Sequence, residues 1–188
     1  MVTQLTIPTL STPRLRLRAP EMRDLDAYAA FRGDPVRSKV FGGPYSREQA
    51  FVQLGALIGH WQLRGFGRFL VADIDTDEAL GVVGPHHPTD WPGPEIAWSV
   101  FANAEGQGIA YEAVVAARQY AYETLGWTTA ISLIGEDNAR SIALAKRLGC
   151  TREPDFVHPD IGPLGCWRHP PVHDTATAHR LAAQRAGT

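Results

Sequence analysis

The stretch that most constrains this chain is Glu95-Ile-Ala-Trp-Ser-Val-Phe101, then Ala-Asn-Ala, then Glu105-Gly-Gln-Gly-Ile-Ala-Tyr-Glu-Ala113. Ile96, Trp98, Val100 and Phe101 form an apolar, β-favouring run that reads as a strand. A short loop with Gly106 and Gly108 follows. From Ile109 the apolar positions change to helical spacing, through Ala113, Val114, Ala117, Tyr120, Ala121 and Leu125. The first turn of a helix carries backbone N–H groups with no partner inside the helix, and the aligned peptide dipoles add roughly half a positive charge there. Glycine lets a backbone approach an anion closely and take φ > 0 where a turn needs it. Strand, glycine loop and helix together predict a site for a phosphate or pyrophosphate.

Two phosphate-binding patterns do not fit. A dinucleotide fingerprint needs Gly-x-Gly-x-x-Gly opening a first βαβ unit, but Tyr111 holds the third glycine position and much of the chain precedes the loop. A Walker loop needs Gly-Lys-Ser/Thr, which this sequence lacks.

The rest of the chain reads as alternating strands and helices. Arg14-Leu-Arg-Leu-Arg18 alternates charged and apolar residues, as a half-buried strand near an edge does, with its arginines on a solvated face. Asp24 precedes a short amphipathic helix with Leu25, Tyr28, Ala29 and Phe31 that ends at Gly33-Asp34-Pro35. Ser46 and Gln49 make a capping box for a helix through Phe51, Leu54, Leu57, Ile58 and Trp61, stopping near Gly65. Gly67–Asp73 and Leu80–Gly84 are strands joined so briefly that a hairpin is expected. Prolines at 85, 88, 92 and 94 then predict irregular structure over Pro85–Pro94. After the central strand and its helix, which closes at Gly126, Thr128–Ile134 is a buried strand. Asn138–Gly149 is a helix capped by Asp137 or Asn138 and by Gly149. Cys150–Val157 and Leu164–Arg168 can form a closing hairpin, and the tail 171–188 a loose helix from Asp174.

At 188 residues with 44% hydrophobic and 20% charged residues, the chain suits one soluble domain, expected over 11–170. A net charge of -2 with no basic block argues against a general nucleic-acid partner. Met1–Pro8 lacks the pattern of a signal peptide, and no apolar run approaches the ~20 residues of a membrane span. Cys150 and Cys166 have no metal-site spacing and read as buried free thiols of a cytoplasmic protein.

The loop Gly106-Gln107-Gly108-Ile109-Ala110 resembles the pyrophosphate loop of the GNAT superfamily of N-acetyltransferases, usually Gln/Arg-x-x-Gly-x-Gly/Ala. Glu105 departs from the usual first residue and puts an acid where the diphosphate should lie. The element order also matches that superfamily. The chain is most similar to the RimJ/RimL-like branch, through Ser11–Arg18, Trp91-Pro-Gly-Pro-Glu95, Asn138-x-x-Ser141, Lys146-Arg-Leu-Gly149 and Trp167-Arg-His-Pro170. The resemblance covers about Ser11 to Pro170. It implies a mixed α/β fold: a central, mostly antiparallel twisted sheet, splayed at the acyl-CoA site and flanked by helices. It further implies acetyl-CoA as cosubstrate, an amine acceptor, no metal and, by analogy, a homodimer.

The same resemblance assigns roles. The cosubstrate is held by Gly106, Gln107, Gly108, Ile109 and Ala110, with Asn138 touching the pantetheine. A backbone N–H at Val100 or Phe101 stabilises the oxyanion. Glu95 is the carboxylate that relays the amine's proton, or else a strand-end residue bonded to a backbone N–H or an arginine. Many family members use a tyrosine in Leu-Tyr-x-x-x-Gly to protonate the thiolate; here Leu144-Ala145-Lys-Arg-Leu-Gly149 lacks it, and Ser141 stands one turn earlier. A hydroxyl there can donate a hydrogen bond and relay a water proton, or make only a local backbone bond.

The acceptor groove is expected to draw on Phe41, Tyr45, Trp61, Phe66, His86, His87 and Trp91, with core packing as the other role for Trp61 and Phe66. His86, His87, His158 and Asp160 lack metal-ligand spacing, and adjacent histidines on an extended segment point to opposite sides. The acceptor stays open between a protein N-terminus, a lysine and a small-molecule amine. A second reading, from a different class, is a non-catalytic acyl-CoA-binding regulator or scaffold of the same fold. Glu105 and the missing tyrosine point to it; Glu95, Ser141 and the loop glycines point to an enzyme acting by direct transfer.

Overall fold

The computed structural model describes residues 5–38 and 42–172. Among these residues the strands are β1 (Leu10–Ser11), β2 (Leu15–Arg18), β3 (Phe69–Asp73), β4 (Ala79–His86), β5 (Glu95–Val100), β6 (Ile131–Ile134), β7 (Thr151–His158) and β8 (Gly162–Arg168). The helices are α1 (Leu25–Gly33), α2 (Arg47–Arg64), α3 (Ile109–Glu123) and α4 (Ala139–Arg147). This is the expected order, with β1 added; two residues are too few to leave a periodic signal. The sheet order is β1-β2-β3-β4-β5-β6-β8-β7. β5 and β6 pair in parallel, at Glu95↔Ile131, and the pairs β1–β2, β2–β3, β3–β4, β6–β8 and β7–β8 are antiparallel. Contacts divide the chain into two compact units, residues 1–86 with 97–118 and residues 87–96 with 119–188. Residues 173–188, where the sequence predicts a loose helix, lie outside the described residues. No helix among the described residues is long and apolar enough to cross a membrane.

In the first unit, β3 and most of β4 are buried on both faces, which is why both read as near-continuous apolar runs rather than alternating ones. α1 and α2 lay Leu25, Tyr28, Phe31, Ala50, Leu54 and Leu57 against Leu70, Val82 and Phe101. The Phe101 ring lies 5.2 Å from that of Phe31 and 6.3 Å from that of Tyr28. α2 opens on the predicted capping box, Ser46 Oγ accepting from the Gln49 N–H while Gln49 accepts from the Ser46 N–H. Its buried stripe is Ala50, Leu54, Leu57 and Trp61; the expected Phe51 and Ile58 are exposed. Spacing of four, three and four residues keeps one narrow face on the core, and Phe51 and Ile58 fall one position off it.

Two further expectations are corrected. Arg18 is not solvated: it is 5% exposed, forks onto both Asp24 oxygens at 2.8 and 2.9 Å, and reaches Asp77 at 3.1 Å. β2 is paired on both sides, so only a fully matched guanidinium can be buried there. β4 also runs into the proline-rich stretch, through Pro85 to His86. These residues lie past the last β3–β4 pair, Phe69↔Val83, and a strand end tolerates a proline.

In the second unit, β7 and β8 form the closing hairpin, with Pro154 inside the register shift between Glu153 and Phe156. A bulge on the last strand of the sheet spares the ladder bond that proline cannot donate. α4 begins at Asn138, whose side chain accepts from the Ser141 N–H. Behind β6, the Ser132 hydroxyl donates to Ile96 O at 2.7 Å, so it accepts from Nε2 of the fully buried His169 at 2.9 Å. Cys150 and Cys166 are buried free thiols.

Candidate active site

The glycine loop belongs to the first unit. Gly106 and Gly108 have φ of 75° and 78°, which an L side chain adopts only under strain, and no neighbour crowds either position within 3.4 Å. The backbone sign, rather than lack of room, is what demands glycine. Arg14 fixes the loop: Nη1 donates to Gln107 O at 3.0 Å and Nε to Glu112 at 2.7 Å. Glu112, in the first turn of α3, also accepts from Thr12 Oγ at 2.6 Å and from the Arg14 N–H at 3.1 Å. The peptide after Gln107 is trans, so holding its carbonyl toward Arg14 turns the Gly108 N–H the opposite way. Gln107 itself donates to Asn103 O at 2.7 Å. Ile109 is buried and starts α3, whose first internal bond runs from the Glu112 N–H to Gly108 O; Ala110 is half-buried. A cleft of about 480 Å³ on the Arg14 side is walled partly by Asp73, Asp75 and Glu78, which suits it poorly to a phosphate. Sequence reasoning missed Arg14 as a loop brace, because nothing local to residues 14–18 says what they pack beside.

Glu105 does not stand alone before the loop. Its Oε1 accepts from Arg37 Nε at 3.1 Å, and Arg37 Nη1 also pairs with Asp34. The structure separates the two candidate oxyanion donors. The Phe101 N–H is spent on Leu80 O at 2.8 Å and its ring is buried in the core, so Phe101 is corrected from a donor to a packing residue. Successive N–H groups of a strand point to opposite sides, which directs that of Val100 away from β4. β4 approaches β5 closely here: a Cβ on Gly81 would lie 2.5 Å from Ser99 O.

The second unit holds Glu95, Asn138 and Ser141. Glu95 is 5% exposed, and both oxygens are engaged, Oε2 by the Trp91 indole N–H at 2.5 Å and Oε1 by the Leu133 N–H at 2.9 Å. The carboxylate therefore ties the proline-rich segment and β6 to the start of β5. Asn138, rather than Asp137, caps α4 through its bond to the Ser141 N–H at 3.1 Å, and Ser141 is half-buried in the first turn.

Among the expected acceptor residues, Trp61 is 2% exposed, bonds Arg68 O and packs edge-on against Phe69, so it is core. Phe66 packs edge-on against His60, whose ring lies 5.2 Å from that of His86. Tyr45 lies under the Arg32 guanidinium at 4.2 Å, and Trp91 meets His158 edge-on at 5.3 Å. His87 is half-buried, and Phe41 lies outside the described residues. Among the described residues no group of three or more His, Cys, Asp or Glu is placed to hold a metal ion.

The sequence profile described as acetyltransferase (GNAT) domain matches residues 14–151. The chain belongs to the GNAT acetyltransferase family. GNAT enzymes take their acetyl group from acetyl-CoA, and the fold agrees: an acetyltransferase of Agrobacterium tumefaciens str. C58, known from its crystal structure, is 34% identical, with a TM-score of 0.78 over 90% of this chain and 98% of that one. An uncharacterized N-acetyltransferase, p20, of Bacillus licheniformis is 28% identical over 148 residues, 77% of this chain and 83% of that protein. Mycobacterium smegmatis RimJ, in complex with a CoA disulfide, shares the fold at a TM-score of 0.71 over 90% of this chain and 88% of that one, with 16% identity. RimL, in complex with coenzyme A, likewise shares the fold, at a TM-score of 0.71 and 18% identity.

Proposed function

We propose that this GNAT enzyme moves an acetyl group from acetyl-CoA to a primary amine, a protein N-terminus or a small-molecule amine, by direct transfer in a ternary complex, with residues 11–170 acting as one catalytic domain. One observation carries the reading: two left-handed glycines, braced by Arg14, lead into the first turn of a fifteen-residue helix with the Gly108 N–H turned away from the brace. The diphosphate takes the N–H groups of Gly108, Ile109 and Ala110. The Val100 N–H meets the oxyanion as the amine adds to the thioester carbonyl. Glu95 receives the amine's proton through a bridging water, and the Ser141 hydroxyl donates a hydrogen bond to the departing thiolate.

The amine's own acidity favours an N-terminal acceptor. Freeing an α-amine of pKa ~7.8 at pH 7.5 costs about 0.4 kcal/mol, whereas a lysine at ~10.4 costs about 4 kcal/mol. Direct transfer is supported by Cys166, whose thiol is pushed up to about 11 by burial first and then by the charge of Glu153, far from a ready nucleophile. The test is calorimetric binding of acetyl-CoA, followed by thiol release across N-terminal peptides and small amines. Binding with acceptor-dependent CoA release supports the reading. Binding without release from any amine removes the proposed acceptor class, and absence of binding removes the phosphate assignment of the loop.

A further inference from the structure

Glu105 sits one residue before the loop that is to receive a diphosphate, and a bare carboxylate there would repel it. One partner of Glu105 comes from far away in sequence. Arg37 lies just after α1, and its guanidinium bridges Glu105 and Asp34. Asp34 is fixed by its own turn, since its Oδ1 accepts from the backbone N–H groups of Val36 at 2.8 Å and Arg37 at 3.0 Å. Asp34 thus anchors the base of the arginine while Nε faces Glu105 at the edge of the loop. Nη2 makes no bond among the described residues. Arg37 and Glu105 are each 29% exposed, so the pair is open to an entering ligand. A guanidinium fork binds carboxylate and phosphate oxygens with the same planar geometry, and one can replace the other without a change of donor.

We propose that Arg37 is a diphosphate-binding residue of this enzyme, and that Glu105 is its internal counter-anion, holding the guanidinium beside the loop and yielding it when acetyl-CoA enters. The proposal rests on the acetyl-CoA reading above. It turns the one misfit of the loop into a device: the acid stations the cation in the free protein, and acetyl-CoA must compete with it.

The experiment measures binding of acetyl-CoA, and of acetyl-pantetheine, which lacks the diphosphate, to the full chain and three variants, with thermal melts to confirm folding. Arg37→Ala weakens acetyl-CoA about tenfold or more and leaves acetyl-pantetheine within about twofold. Glu105→Gln tightens acetyl-CoA about three- to tenfold. The double variant decides the case. If Arg37 touches phosphate, Arg37→Ala/Glu105→Gln stays at least about fivefold weaker than wild type. Recovery of wild-type affinity would mean that Arg37 only screens Glu105, and equal weakening for both ligands would mean a packing role; either overturns the proposal. Wild-type protein that binds no acetyl-CoA defeats the underlying reading instead, and the proposal with it.

Discussion

Replacing Glu95 with Gln separates the two jobs that its position gives it. The carboxylate is 5% exposed and accepts one N–H on each oxygen, from Trp91 and from Leu133. Glutamine keeps the shape but offers one oxygen and one NH2 group to two converging donors. One buried donor is left without an acceptor, about 1–3 kcal/mol, and the bond that survives loses its charge, about another 1 kcal/mol. The sum, about 2–4 kcal/mol, is below the ~5–15 kcal/mol of a typical domain, so the variant folds. At ~2–4 °C per kcal/mol for a chain of this size, its melting temperature drops by about 4–16 °C. If Glu95 also carries the amine's proton, kcat falls by ~10²–10⁴ at 25 °C, equivalent to about 3–5 kcal/mol on the barrier. Trp91→Phe is the control, removing one brace while keeping the carboxylate, and its kcat changes by less than about tenfold. The assay is thiol release at saturating acetyl-CoA and acceptor, alongside a thermal melt of each variant. A Glu95→Gln protein with the lowered melting temperature and a kcat within tenfold of wild type refutes the base role and leaves Glu95 a strand tie.

Gly108→Ala forces an L residue to φ 78°, costing about 1–2 kcal/mol of stability, and sets its Cβ 3.6 Å from Arg14 Nη2, so the strained loop no longer presents its N–H groups to the proposed diphosphate, and calorimetry should show acetyl-CoA binding weakened more than about tenfold. For Glu112, burial pushes the carboxyl up, but the bonds from Thr12 and Arg14 outweigh it and hold the group below the usual carboxylate range. The folded value is depressed, so its stabilisation is complete above the ordinary carboxylate pKa of about 4.3 and is lost as pH falls through the folded value; in urea titrations Glu112→Gln flattens that acid limb. Arg18→Met strands a buried Asp24 and costs about 3–5 kcal/mol at neutral pH, measured by urea unfolding. The Cys166 thiol, raised to about 11, reacts with a disulfide reagent at pH 8 only when the protein unfolds; fast native labelling of Cys166 would contradict its burial.

Local chemistry made much of this molecule legible in the sequence. The capping box at Ser46 and Gln49, the Asn138 cap, the 95–101 strand and the two loop glycines each depend on residues within one turn or one strand of each other. The proline-rich segment was read as irregular two residues too early, because the proline rule concerns a missing N–H and a strand end does not need one.

The sequence alone therefore determined the element order, the helix starts and the place of the glycine loop, since backbone preferences and capping are satisfied by near neighbours. Tertiary structure decided which charges meet and which way donors point. Arg37 reaches Glu105 across 68 residues, Arg14 reaches Gln107 across 93, and Arg18 is buried only because Asp24 and Asp77 converge on it. Phe101 gives its N–H to Leu80 and leaves Val100 as the candidate donor through strand register alone. A side chain's charge is written in the sequence; its partner, and hence its burial and its work, is set by the segments that fold beside it.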